Sequence, residues 1–246
     1  MLTRRHSLIR GRPLVVLIAT LIGVAITARL GLWQLDRAAQ KQALQQVLDQ
    51  RSALPPLPAQ DLATTSEAAA VQSYRRIRLQ GQWMDAFTVF LDNRQMNGRP
   101  GFFVVTPLKL AGSGETVVVQ RGWAPRDALD RTRLPPVATP AGEVTIDGHI
   151  APPPARLYEF SAVASGPIRQ NLDLAAYAAD AGVRLAPLSV VQDNGPDDGL
   201  SRQWPRPAVD VHKHYGYAVQ WFALCALMAG LYVWFQLLRP RLRTGA

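Results

Sequence analysis

Two apolar stretches decide the fold: LVVLIATLIGVAITARLGLWQL at residues 14–35 and YGYAVQWFALCALMAGLYVWFQLL at residues 215–238. Each is long enough to form a helix that crosses the bilayer core, which is about 30 Å thick and needs about 20 residues. The second stretch has no charged residue and carries aromatic residues at both ends, as membrane-spanning helices do at the two membrane surfaces. We therefore predict transmembrane helices at residues 14–35 and 214–238.

The arginines that flank the two stretches predict the orientation. The tails, residues 1–13 and 239–246, have no acidic residue and contain seven arginines: Arg4, Arg5, Arg10, Arg12, Arg239, Arg241 and Arg243. By the positive-inside rule both tails are cytoplasmic, so residues 36–213 form a domain on the other side of the membrane. The short first tail leaves no room for an organelle transit peptide. We expect a bacterial inner membrane with the central domain in the periplasm.

A cleaved signal peptide is the alternative for the first stretch. Its uninterrupted apolar part, residues 14–28, ends at Arg29, and a basic segment precedes it. Against cleavage, Ile26-Thr27-Ala28 is a poor signal-peptidase site, and apolar residues resume at Leu30. A retained anchor is therefore the prediction, with Arg29 near the outer membrane surface, where a long cationic side chain reaches water.

The net charge of +9 does not indicate a nucleic-acid partner. Of the 27 basic residues, seven lie in the tails and Arg29 lies in the first stretch, which leaves 19 against 18 acidic residues elsewhere. The central domain is thus nearly neutral and lacks the excess of cations that binds phosphates. Membrane lipid is the partner that the charge distribution predicts, and nucleic acid is not expected.

The central segment predicts one mainly antiparallel-β (α+β) domain. Residues 36–51 are rich in helix formers and extend the first anchor until the proline-rich segment that begins at Pro55. A short helix is predicted near residues 67–71 and another at 172–181. The predicted strands, separated by glycine and asparagine turns, are residues 74–79, 87–91, 102–110, 116–120, 143–150, 168–171 and 188–192.

Four motifs in this frame resemble the Surfeit-locus (Shy-type) family of cytochrome c oxidase assembly factors. The first is Gly31-x-Trp33-Gln34-x-x-Arg37-x-x-x-Lys41 and the second is Arg94, Gly98, Gly101 and Thr106-Pro107-Leu108. The third is Arg121-Gly122-Trp123-x-Pro125 and the fourth is His214-x-Gly216-Tyr217-Ala218-x-Gln220-Trp221-Phe222. The resemblance covers nearly the whole chain, although many relatives have Asn-His-Leu where this chain has Lys213-His214-Tyr215.

The resemblance implies a function, a cofactor and partners. Members assist the biogenesis of haem-copper oxidase, and bacterial members bind haem a through a histidine at the mouth of the second anchor, which here is His214. The implied partners are the catalytic subunit of cytochrome c oxidase and, as a source of haem, haem a synthase. The alternatives are a membrane scaffold for the nascent subunit that binds no haem and, third, a periplasmic enzyme.

The chemistry of imidazole also makes His214 a candidate ligand of haem iron. Imidazole is a common axial ligand of haem iron, and on a helix His214 shares a face with Tyr217, Ala218 and Trp221. Small Ala218 and Gly216 would leave room for a flat ring. The competing interpretation is a polar histidine that only marks the end of the helix. His212 points elsewhere on a helix, and a copper clamp of His212 and His214 would require an extended segment.

Four residues, three of them cationic, recur every four positions where the first anchor leaves the membrane. Arg29, Arg37 and Lys41 share this stripe with Trp33. The cationic side chains either extend to the membrane surface or bind carboxylates such as haem propionates. We take Arg29 and Arg37 as candidate propionate contacts.

The remaining motifs are interpreted as structural, and the chain is not expected to be an enzyme. Gly122 is predicted to have a backbone angle that favours glycine, Trp123 to be buried or to face the bilayer, and Asp197-Asp198-Gly199 to be a solvated loop. No nucleophile elbow, phosphate loop or zinc-protease motif is present, and Cys225 is the only cysteine.

Overall fold

The computed structural model describes residues 7–158, 166–204 and 210–244. It divides into a helical unit, Met1–Val47 with Ala208–Ala246, and a sheet unit, Leu48–Pro207. The helices are α1 (Ser7–Ala53), α2 (Ser66–Gln72), α3 (Leu174–Ala181), α4 (Val211–Tyr232) and α5 (Arg239–Thr244), and a π-helix joins α4 to α5 at Val233–Leu238. The strands are β1 (Arg76–Trp83), β2 (Val89–Met96), β3 (Arg99–Leu110), β4 (Thr116–Pro125), β5 (Glu143–Ala151), β6 (Ile168–Arg169) and β7 (Leu185–Gln192).

The helical unit contains two helices that are long and apolar enough to cross a membrane. The predicted continuation of the first anchor through residues 36–51 is confirmed as helix, because α1 runs unbroken to Ala53. Five of the flanking arginines lie outside the side chains that the structure describes: Arg4, Arg5, Arg10, Arg12 and Arg243.

The two long helices pack antiparallel along a seam with alternating spacings of three and four residues. We call this the helix seam; its members are Leu17, Thr20, Val24, Thr27, Gly31 and Gln34 of α1 and His214, Ala218, Trp221, Cys225, Met228 and Tyr232 of α4. The order of contacts sets the direction, since Gln34 meets His214 while Val24 meets Cys225 further along. Such spacing places side chains of two neighbouring helices in register. Gly31 leaves room for the Phe222 ring of α4, and Ala218 is buried at the seam.

The sheet unit is built on a sheet that closes on itself. Its strand order is β1-β5-β7-β4-β3-β2-β6, and β1 also pairs with β3. These pairings close β1, β5, β7, β4 and β3 into a ring, with β2 and β6 extending beyond it. The ring encloses an apolar core drawn from all five strands, including Leu79, Leu108, Val117, Ile146 and Leu188. Alternating inward side chains make such a ring stable in the manner of a small barrel.

The sheet is mixed but mainly antiparallel, which is consistent with the predicted domain. In the described residues five strand pairs are antiparallel, whereas β4–β7 and β2–β6 are parallel. The long connection from β5 through α3 carries the chain back, so β7 enters between β4 and β5 in a direction that no local pattern reveals. Tyr177 of α3 and Leu172 just before this helix are buried with side chains of β2 and β3, which packs the connection against the sheet.

Several predicted strand boundaries were wrong: β3 and β7 begin three residues earlier, β4 ends five residues later, and β6 ends two residues earlier than predicted. Two further boundaries differ for local reasons. Strand β1 continues through Gly81 because this glycine pairs with both Val144 and Leu110. Strand β2 continues past Asp92-Asn93 to Met96 because a bulge, with Asn93 at a φ of 59°, absorbs the irregularity. The predicted turn at Asn97-Gly98 and the hairpin around residues 112–114 are confirmed, as are α2 and α3.

Candidate functional site

His214 lies at the helix seam and is held from the other helix. Its Nδ1 is 2.7 Å from Oε1 of Gln34, and the side chain is half-buried. An amide oxygen only accepts hydrogen bonds, so Nδ1–H donates to it, and the tautomer with its hydrogen on Nδ1 leaves the lone pair on Nε2. In the described part of the chain Nε2 has no hydrogen-bond partner. The ring is thus fixed at one nitrogen and free to bind a ligand at the other.

The other α4 residues predicted for the site fall into two environments. Ala218 is 1% exposed at the seam, so its small size brings the helices together and does not leave open space. Trp221 is half-buried one turn further along the same seam. Tyr217 stands beside the seam with 52% of its surface exposed, and a Cβ added at Gly216 would meet no atom within 4 Å. Among the predicted α4 residues, Tyr217 and Trp221 are therefore the two that carry rings on the helix face of His214.

On α1 the cationic stripe is partly ordered by its own helix. Arg37 donates to Oε1 of Gln40 at 3.0 Å, and its guanidinium carbon lies 5.5 Å from the Trp33 ring centroid. Trp33 itself is 45% exposed, and Arg29 is exposed one turn before it. Both arginines keep exposed side chains that a carboxylate can reach, and Arg37 is preordered by a ring and an amide.

The extended copper clamp is not formed. Helix α4 begins at Val211, so His212 and His214 are both helical and point to different sides. His212 is exposed, and no group of three His, Cys, Asp or Glu side chains able to hold a metal occurs among the described residues. His149, in the sheet unit, pairs through Nδ1 with Oδ1 of Asp193 at 2.8 Å.

In the sheet unit Arg121 is a buried structural centre. It is 1% exposed, lies 4.8 Å from the Trp83 ring, and donates to Thr139 Oγ1, the Ala138 carbonyl and Asp198. Burial lowers the pKa of this guanidinium, and the charge of Asp198 acts in the opposite direction. These contacts fasten the segment after β4 to the sheet, which agrees with a structural role for the motif.

Two expectations for this region were wrong. Gly122 does not adopt a positive φ; a Cβ there would lie 2.6 Å from Cβ of Leu200, so close packing requires glycine. Asp198 is not part of a solvated loop, because it is 5% exposed and bonds both Arg121 and Arg202. Trp123 is buried, and its Nε1 donates to the carbonyl of Arg94 at 2.9 Å.

Gln34 is the site residue that sequence reasoning missed. It belongs to the first motif, but no role was predicted for it. The signal was present in the spacing, since Thr20, Thr27, Gly31 and Gln34 are small or polar residues at intervals of three, four or seven in an apolar helix. Such residues mark helix–helix contacts in membranes.

Comparison with known proteins agrees with the motifs. The profile of the SURF1 family matches residues 21–226. The SURF1-like protein of Drosophila melanogaster is 26% identical over 240 residues, which cover 89% of this chain and 76% of that protein. Surfeit locus protein 1 of Xenopus tropicalis is 28% identical over 242 residues, covering 87% of this chain and 72% of that protein.

A third relative carries a functional name. The cytochrome oxidase assembly protein SHY1 of Saccharomyces cerevisiae is 30% identical over 98 residues, which cover 40% of this chain and 25% of that protein. The family profile, in contrast, extends from within the first apolar stretch to within the second. Because the match includes most of both long helices and the whole sheet unit between them, the chain belongs to the SURF1 family.

Proposed function

We propose that this chain is a membrane-anchored assembly factor for haem-copper cytochrome c oxidase, which binds haem a and supports its insertion into the catalytic subunit. Membership of the SURF1 family and the name of the yeast relative support the role in oxidase assembly. Under this proposal haem a is a cargo, the catalytic subunit receives it, and haem a synthase is the donor.

The surfaces of the two long helices support anchoring in a membrane. Outside the helix seam their large apolar side chains are exposed, for example Val15 at 65%, Leu21 at 58%, Val219 at 67% and Leu227 at 56%. An apolar surface of this extent on both helices is unfavourable in water and matches lipid. With the arginines of the two tails, it supports cytoplasmic termini and a periplasmic sheet unit in a bacterial inner membrane.

The observation that carries haem binding is the hydrogen bond between Nδ1 of His214 and Gln34. It leaves Nε2 as the available ligand, and ligating histidines commonly have their other nitrogen fixed in this way. His214 would bind the iron axially, Tyr217 and Trp221 would contact the macrocycle, and Arg29 and Arg37 would bind the propionates. The donor set therefore fits a haem, with an imidazole, aromatic rings and guanidinium groups on one helix pair.

The test is a spectrum of the protein purified in detergent from cells that make haem a. We expect a bound haem a, an absent or strongly shifted spectrum in His214→Ala, and little change in the matched control His212→Ala. Copurified oxidase subunit without pigment would instead support the scaffold alternative. A His214→Ala protein with unaltered spectrum and occupancy would contradict the ligand assignment.

A further inference from the structure

We propose that Gln34 is a positioning residue that holds His214 in the tautomer able to bind iron. This inference rests on the proposed haem function and assigns a role to a residue on the opposite helix. Gln34 and His214 are 180 positions apart in sequence, yet Oε1 and Nδ1 are 2.7 Å apart. A hydrogen bond of this length is well formed.

The two orientations of the Gln34 amide have opposite consequences for ligation. With the oxygen toward the ring, the imidazole hydrogen stays on Nδ1 and Nε2 offers a lone pair. With the amide nitrogen toward the ring, Nδ1 would accept and the hydrogen would move to Nε2, which could then bind no iron. The observed orientation therefore selects the ligating tautomer.

The helix seam holds Gln34 at the required distance. One turn before it, Gly31 lies against the Phe222 ring, and a Cβ at Gly31 would be 2.7 Å from the nearest ring atom. This contact packs a side chain of α4 against α1 next to the hydrogen bond. Gln34 is itself half-buried, so water competes less for its amide than at an exposed position.

The hydrogen bond that Nδ1–H donates to an acceptor also changes how strongly Nε2 of the imidazole binds iron. A hydrogen-bond acceptor at this position raises the basicity of Nε2, and a carboxylate raises it more than an amide. The strength of the iron–histidine bond and the reduction potential should therefore follow the residue at position 34. A residue that only packs helices together would affect neither property in the haem that remains bound.

The experiment compares Gln34→Leu, Gln34→Glu and His214→Ala in full-length protein loaded with haem a in cells. The readouts are haem per protein, the iron–histidine vibration in resonance Raman spectra and the reduction potential. We expect Gln34→Leu to weaken haem binding roughly 10- to 100-fold and to lower the vibration frequency. Gln34→Glu should raise the frequency and lower the potential. Gln46→Leu is the matched control, because Gln46 is an exposed glutamine on the same helix and lies outside the proposed site.

The outcomes separate this inference from the proposed function. If His214→Ala keeps the wild-type spectrum, the proposed ligand is wrong. If His214→Ala loses the haem while both Gln34 variants keep the wild-type vibration and potential, the positioning role is overturned and His214 remains the ligand. Loss of occupancy in Gln34→Leu with an unchanged vibration in the residual haem would equally overturn it, since that is the result of lost packing alone.

Discussion

Arg121 and Arg202 donate to the same carboxylate oxygen, Oδ2 of Asp198, over 3.3 and 2.6 Å. All three side chains are buried, with 1%, 9% and 4% of their surfaces exposed in the order Arg121, Arg202 and Asp198. The single carboxylate of Asp198 is thus the charged partner of two buried guanidinium groups. Removing one member of a buried charge cluster costs more than its attraction contributes, because the remaining charges stay unpaired.

We therefore predict that Asp198→Asn destabilises the sheet unit by about 3–5 kcal/mol. Asp197→Asn is the matched control, because Asp197 is exposed and its loss should change stability by less than about 0.5 kcal/mol. Thermal unfolding of the full-length protein in detergent, followed by tryptophan fluorescence, measures both. Equal transition temperatures for the two variants would contradict a buried role for Asp198.

Gly122→Ala should destabilise the protein by about 1–3 kcal/mol through overpacking. The new methyl group would meet Leu200, whose Cβ is only 2.6 Å from its position. Leu200→Gly removes the obstructing atom, so the loss in the double variant should be smaller than the sum of the two single losses. Purely additive losses in the same unfolding assay would show that close packing does not explain this glycine.

Gly122 and Asp198 show which kinds of contact the sequence does not predict. The strands around β3 and β4 and the turn at Asn97-Gly98 were predictable, because local alternation and turn chemistry determine them. The partners of Gly122 and Asp198 come from segments about 80 residues away along the chain or from loops without a pattern. No periodicity encodes such contacts, so a glycine was assigned to backbone conformation and an aspartate to solvent.

In the candidate site, too, some features were predictable from the sequence and others were not. His214 could be selected from its motif and chemistry, and the helix at the position of α4 from its apolar length. The role of Gln34 depends on the register between two helices at opposite ends of the chain, which their individual patterns do not determine. The same register buries Ala218, which sequence reasoning had taken as open space for a ligand.

Gly31→Val should weaken the packing of α1 on α4 by about 1–3 kcal/mol, because its side chain would enter the Phe222 ring. Phe222→Ala in the same chain should recover part of this loss. The measurement is the fraction of SDS in mixed micelles that unfolds the protein. Gly216→Val provides the control, since open space surrounds that glycine on α4, and a loss as large as that of Gly31→Val would contradict the seam.

The arginines of the two tails predict the outcome of reporter fusions. Alkaline phosphatase folds only when exported, so a fusion after Ser113, in the β3–β4 connection, should be active. A fusion at the C-terminus should be inactive although immunoblots show equal amounts of protein. The reverse pattern, or a mature N-terminus after Ala28, would rule out two retained anchors with a periplasmic sheet unit.

Variants of Arg37 distinguish the binding of a haem propionate from the ligation of the haem iron. Its side chain is exposed and preordered by Gln40 and Trp33, so a propionate contact there should contribute modestly. Arg37→Ala should speed haem loss to apomyoglobin by roughly 2- to 10-fold while the spectrum of the remaining haem stays unchanged. Arg29→Ala should behave alike, and Arg37→Lys should recover only part of the retention, since lysine lacks the bidentate fork.

The control for this series is Arg99→Ala, an exposed arginine on β3 of the sheet unit. Its haem loss should match that of the unaltered protein, because a change in net charge alone does not remove a specific contact. A spectral shift in Arg37→Ala like that of His214→Ala would mean that this arginine acts on the iron ligand. An unchanged rate of loss in both Arg29→Ala and Arg37→Ala would leave the cationic stripe with a membrane-surface role alone.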